Sequence, residues 1–186
     1  MVGIVIQLMA MVIESGQTPP WELTDERLLA ECRWEAYRGS GPGGQKRNKT
    51  SSAIRVTHLP TKIQAIAEES RSQGENRVHA LRRLRHKLAM EIRREIDPGD
   101  FVLPGWMEEY KANGFHMAER NPLYAALVAL ILDVFQAVHW ELARAAVLLG
   151  VTNSSLVRFM HGDGQLWQRI NRSRQQLGMK ALFWDK

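Results

Sequence analysis

The chain has 186 residues, 45% hydrophobic and 24% charged, which is room for one ordinary domain or two small ones and argues against long disorder. Lys and Arg outnumber Asp and Glu by 25 to 20, and the surplus is concentrated. Residues 33–94 hold fifteen Lys or Arg against five Asp or Glu, net +10, while residues 1–32 come to −4, 95–119 to −5 and 120–186 to +4. A cationic middle third framed by acidic stretches is the footprint of a polyanion-binding protein, and a solvated helix face is the bland account of the same charge. The lone Cys32 excludes an internal disulfide and any paired-thiol zinc site.

The chain opens on an apolar, uncharged segment, Met1–Ile13. It lacks the basic start of a secretory signal and is too short to cross a bilayer. A strand, a short packed helix and a frayed arm are all open to it. Four tracts follow from the punctuation: a lead-in over 1–24 ending at Pro19-Pro20, a compact unit over 25–97, a connection over 98–121 and a helical unit over 122–186. The connection is marked by Pro98-Gly99, Pro104-Gly105 and Asn113-Gly114. The fold class expected is α+β: a small β-sheet with a packed basic helix, then an all-α unit.

Within the middle unit, residues 32–38 read as a strand. Ala53–Leu59 alternates Ile54, Val56 and His58 against Arg55, Thr57 and Leu59, a second strand; Pro60-Thr61 turns it, and Ile63–Ala67 returns antiparallel. From Gly74 to Ile96, Val78, Leu81, Leu84, Leu88, Ile92 and Ile96 step by three or four, one helical stripe. Arg77, Arg82, Arg83, Arg85 and Lys87 fall mostly off that stripe. With Arg71 ahead of the helix, they are candidate RNA contacts, although their alkyl stems can equally cover apolar surface.

The loop between the first two strands, Arg38–Ser52, carries four glycines (39, 41, 43 and 44) and then Lys46, Arg47, Asn48 and Lys49. Glycine removes side-chain bulk and lets backbone approach another surface. Arg38, Lys46, Arg47, Asn48 and Lys49 suit phosphate contact. The loop is not a G-x-x-x-x-G-K-[ST] cradle, and no acid–base, nucleophile–base or metal-ligand signature occurs in the chain. Residues alone describe a cationic, polyanion-facing tip.

The run Gly39–Ile63, GSGPGGQKRNKTSSAIRVTHLPTKI, closely resembles the catalytic region of class I peptide-chain release factors and of the short ribosome-rescue peptidyl-tRNA hydrolases. The resemblance continues through Ser70-Arg71-Ser72, Asn76 and Ala80, covering about residues 27–96. Lys62 stands where the family usually has Gly, a departure expected to alter a turn rather than chemistry. The resemblance implies that Gly43, Gly44 and Gln45 enter the peptidyl-transferase centre of the large ribosomal subunit and promote attack by water on the peptidyl-tRNA ester. The backbone N–H of Gln45 would stabilise developing charge, its side chain would shape the water site, and the glycines would permit the turn that aims the amide. A main-chain oxyanion donor is worth about 10²–10³ in rate, and RNA supplies most of the remaining site. No cofactor, metal or membrane is implied. The partners implied are large-subunit rRNA, peptidyl-tRNA and a methyltransferase acting on Gln45, in the cytoplasm. Stop-codon readers of the family carry codon-recognition domains ahead of the loop. So little chain precedes it here that a codon-independent rescue factor is expected, although this chain does not end in the basic tail of the known rescue hydrolases.

In the last tract, Asn121-Pro122 reads as the start of a helix that runs through the ten apolar residues Leu123–Leu132. Asp133, Gln136 and His139 make it a buried core helix rather than a membrane span. Residues 141–161 fit a helix-turn-helix. Ala146 packs within it, Gly150 turns it and Thr152 caps the second helix, which Leu156 and Phe159 anchor. Ser154, Ser155, Arg158 and His161 are then free to face a groove. Trp140, Trp167 and Trp184 read as fillers of a small core, whereas Trp34 and Tyr37 are open to core or RNA. Two rival functions are open: a non-catalytic ribosome or RNA binder that keeps the loop, and a DNA-binding helix-turn-helix regulator.

Overall fold

A computed structural model describes residues 11–12, 17–37, 52–112 and 114–184. It divides into two compact units, residues 18–89 and a second made of 1–17 with 90–186. The architecture is α+β, as the patterning predicts.

In residues 18–89, a single 3₁₀ turn (Pro20–Glu22) leads into α1 (Asp25–Ala30), which starts where Thr24 Oγ1 accepts the Arg27 N–H. Three antiparallel strands follow, β2 (Cys32–Tyr37), β3 (Ala53–His58) and β4 (Gln64–Ala67), in spatial order β2-β3-β4. Being central, β3 is buried at Ala53, Ile54, Val56, Thr57 and His58, so the alternation expected of it is lost. The edge strand β4 keeps alternation, with Ala65 and Ala67 buried and Gln64 and Ile66 exposed.

The long helix α2 spans Gln73–Glu91 and belongs to this unit up to Ala89. Asn76, Ala80, Leu81, Leu84, Leu88, Ala89 and Met90 are its buried positions. Val78, expected on that stripe, is exposed, because the stripe follows the four-residue step 76-80-84-88 instead. The helix also ends earlier than the periodicity predicts. Ile92–Arg93 is extended as β5, pairing in parallel with β1 (Met11–Val12). Hydrophobic spacing alone does not register that Arg93 has a buried partner.

The second unit is helical apart from the β1–β5 pair: α3 (Met107–Ala112), α4 (Tyr124–Ala137), α5 (Leu142–Leu149), α6 (Asn153–Gly162) and α7 (Gly164–Gln176). α3 lies in the tract read from the sequence as a connection, and Met107, Phe115 and Met117 there are buried. α4 is buried at every residue from Tyr124 to Phe135. Its start is two residues later than Asn121-Pro122 predicts. Asn121 Oδ1 accepts the Leu123 N–H at 2.8 Å and Asn121 O accepts the Tyr124 N–H at 3.0 Å, forming a turn before the helix. Among the described residues, no helix is long and apolar enough to cross a membrane.

Candidate functional site

The loop that carries Gly43, Gly44 and Gln45 lies outside the described residues, as do Arg38, Lys46, Arg47, Asn48 and Lys49. Its two roots are described. The register of the β2–β3 ladder pairs Tyr37 with Ala53, so the segment leaves and re-enters the sheet at adjacent strand ends. Ser52 O accepts the Asn76 Nδ2 donor at 2.8 Å, which fastens the returning chain to the first turn of α2.

The β3–β4 turn is held by His58, which is buried. Its Nε2 lies 2.9 Å from Glu31 Oε2 and its Nδ1 2.8 Å from Thr61 Oγ1. Its backbone N–H donates to Ile63 O at 2.9 Å and its carbonyl accepts the Lys62 N–H at 2.8 Å. Nearby, burial pushes the Cys32 thiol up to about 11; the Glu31 charge adds to the shift and Arg85 opposes it. Such a thiol stays protonated and unreactive at neutral pH. Among the described residues no cluster of three His, Cys, Asp or Glu could hold a metal ion.

The six predicted cations that are described separate into two sets. Arg83 donates to Ile66 O at 2.7 Å and pairs with Glu69 at 2.9 Å. Arg85 donates to Trp21 O at 3.2 Å and reaches Asp25 at 2.6 Å. Lys87 donates to Gln64 O at 2.8 Å. Each gives at least one donor to a backbone carbonyl of this same unit, which fastens α2 to β4 and to the turn ahead of α1. Glu69, despite the opposing effect of burial, is drawn down to about 2 by backbone N–H donors, Arg83 and His79, so it stays ionised beside Arg83. By contrast, the side chains of Arg71, Arg77 and Arg82 are exposed and have no hydrogen-bond or ion-pair partner among the described residues. Exposed Val78 lies on the same helix, four residues before Arg82. Composition cannot separate the two sets, because which backbone carbonyls lie within a cation's reach is a tertiary fact.

The two helices and the turn expected over residues 141–161 are present as α5 and α6. Gly150 ends α5 at φ 65° and ψ 33°, the left-handed cap that glycine occupies without strain. A Cβ there would also meet Lys111 Cε at 2.9 Å. Thr152 caps α6, its Oγ1 accepting the Ser155 N–H at 3.1 Å. Leu156 is buried, and Phe159 packs against Phe115 and Tyr124, with ring centroids 5.1 Å and 5.8 Å away. Of the proposed groove residues, Ser154 is exposed, Ser155 is half-buried with its Oγ accepting from Thr152, and Arg158 donates to Gly114 O at 3.1 Å. His161 is exposed yet stacks on Trp184 and meets Trp167 edge-on. Trp140, Trp167 and Trp184 are half-buried, so they flank the core rather than fill it, and Trp34 is half-buried too.

Residues 28–99 match the family model of the RF-1 domain. Among similar relatives, peptide chain release factor 1 of Streptomyces avermitilis is 42% identical over 81 residues, covering 43% of this chain and 23% of the relative. Peptide chain release factor 1 of Leptothrix cholodnii is 50% identical over 66 residues, 36% and 18% of the two chains. Peptide chain release factor 2 of Nocardia farcinica is 46% identical over 79 residues, 41% and 21% of the two. The chain thus spans about a fifth of the length of these relatives.

Proposed function

Residues 28–99 belong to the class I peptide-chain release factor family, and on that premise we propose that the chain hydrolyses the peptidyl-tRNA ester on the ribosome. The observation that carries the reading is the Gly43-Gly44-Gln45 sequence on a loop whose roots are paired strand ends, Tyr37 and Ala53. A backbone N–H presented by such a loop supplies one preorganised dipole to an otherwise RNA-built site. Of the six predicted cations that are described, Arg71, Arg77 and Arg82 are the exposed ones whose side chains have no partner among the described residues, and they suit contact with rRNA phosphates. Gln45 is then also the residue that a glutamine methyltransferase would modify, and the compartment is the one that holds ribosomes.

The finer part of the proposal is release without decoding a stop codon. It is supported by what accompanies the family domain: the family model ends at residue 99, and a helix-turn-helix unit follows whose second helix exposes Asn153 and Ser154 to a partner. Peptide release from stalled complexes, with and without a stop codon in the A site, tests both parts. Release in both states by wild type and a loss of at least about 10²-fold in Gln45→Ala is expected. Activity confined to stop codons overturns codon independence. Ribosome binding without release turns the protein into a non-catalytic binder, and selective shifts of duplex DNA without ribosome binding turn it into a regulator.

A further inference from the structure

Backbone pairing closes the base of the loop at one point, Tyr37 opposite Ala53. A second closure lies just outside the ladder and is made by a side chain. Asn76 Nδ2 donates to Ser52 O and to Ser70 O, both at 2.8 Å, and Asn76 Oδ1 accepts the Ser70 N–H at 3.0 Å. Both amide hydrogens and the carbonyl oxygen are therefore used. The residue is fully buried, where each unmade bond of this kind is costly. The turn that receives it is itself braced: Ser72 N–H donates to Ser70 Oγ at 3.0 Å, Glu75 N–H to Ser72 Oγ at 3.3 Å, and Asn76 N–H to Ser72 O at 3.1 Å. Three parts of the chain thus meet at one amide: the loop's exit, the β4–α2 turn and the first turn of α2.

The bonds to Ser70 would suffice to shape the β4–α2 turn. The bond to Ser52 reaches outside that turn, to the residue at which the segment carrying Gly43–Gln45 rejoins the fold at the start of β3. We propose that Asn76 is a positioning residue for peptide release, fixing against α2 the point at which the segment that carries Gly43–Gln45 rejoins the fold. This inference rests on the release activity proposed above. Displacements near 1 Å at a reacting centre cost about 10²-fold, so a slackened root is felt in the rate of the chemical step more than in ribosome affinity.

The test compares wild type, Asn76→Ala, Asn76→Asp and Gln45→Ala with Tyr124→Phe as a control that removes a buried hydrogen bond in the other unit. Release from stalled ribosome complexes is measured across factor concentrations, below the unfolding temperature of every variant. Asn76→Ala leaves Ser52 O and Ser70 O without their donors, and Asn76→Asp faces them with a second acceptor. Both are expected to lower the maximal rate about 10- to 100-fold while the half-saturating concentration moves less than about 3-fold. Tyr124→Phe should lower the unfolding temperature and leave the maximal rate alone. If the Asn76 variants behave like Tyr124→Phe, Asn76 is structural only and the proposal is overturned. Loss of release in Gln45→Ala with full release in both Asn76 variants leaves the release reading intact and removes only this inference. No release by wild type removes both.

Discussion

The two units put their buried polar groups to different uses. In residues 18–89 these groups sit where the chain leaves or reverses the sheet: His58 at the β3–β4 turn, Asn76 at the root of the loop. In residues 90–186 they sit against a helix. Arg93, itself buried, donates to Asp133 Oδ1 at 2.8 Å and to Ala129 O at 3.2 Å, both on α4. Tyr124 O–H donates to Asp163 Oδ2 at 2.9 Å, while the other oxygen of Asp163 accepts the Gln165 and Leu166 N–H groups that begin α7. The contrast follows from the elements themselves. A sheet has a ladder to fix its register, so its polar groups are free to shape loops. α4 is buried through twelve successive positions, Tyr124–Phe135, and has no polar stripe to tell it which way to face. Apolar burial is non-directional, so the directional bonds of Asp133 and Tyr124 select one rotation of that helix.

The largest effect expected from breaking this arrangement is at Asp133. Burial lowers the Arg93 guanidinium to about 10, against the pull of Asp133, which favours the charge. Asp133→Ala would leave that cation buried with its carboxylate partner gone, and a loss of about 3–5 kcal/mol is expected in urea unfolding. The paired replacement Arg93→Met with Asp133→Leu should recover most of it, because buried apolar substitutes cost little when both charges go. If the double variant is as unstable as the single one, the pair does more than satisfy itself and α4 depends on its direction.

A smaller effect separates the cations of α2. Replacing Arg77 and Arg82 together with Gln is expected to weaken ribosome association several-fold and to flatten its salt dependence by about one unit of slope for each phosphate no longer neutralised. Arg83→Gln should instead leave that slope alone and lower stability by about 1 kcal/mol, since it gives up the Ile66 carbonyl and Glu69. Equal salt slopes for the two variants would mean that bonding within the unit does not sort these residues.

What can be read from the sequence follows the same division. Period-two alternation and Pro60 locate β3 and β4, and the capping chemistry of Gly150 and Thr152 locates the helix-turn-helix, because these signals are local. The motif Gly43-Gly44-Gln45, on which the proposed chemistry rests, is legible in the sequence although it lies outside the described residues. Signals that depend on a distant partner escape such a reading. Arg93 reads as one more helical cation until Asp133 is beside it, and the carbonyls that Arg83, Arg85 and Lys87 bond lie in segments distant in the chain. Asn76 is visible as a polar residue on the 76-80-84-88 stripe, but its use depends on Ser52, a residue of another segment.

The smallest effect concerns Lys62, in the β3–β4 turn that His58 holds. It sits at φ 62°, a left-handed conformation that costs an L-residue about 1–2 kcal/mol. Glycine is free of that cost, although it gives up about 0.5–1 kcal/mol more backbone freedom on folding. Lys62→Gly should therefore stabilise the protein by up to about 1 kcal/mol in urea unfolding. Lys62→Ala carries the control: it removes the same charge but retains a Cβ, so it changes the charge without relieving the backbone. A gain in Gly alone assigns the cost to φ. Equal gains in both would assign it to charge and show that the bonds His58 makes with Glu31, Thr61, Lys62 and Ile63 already hold Lys62 where its backbone is at rest.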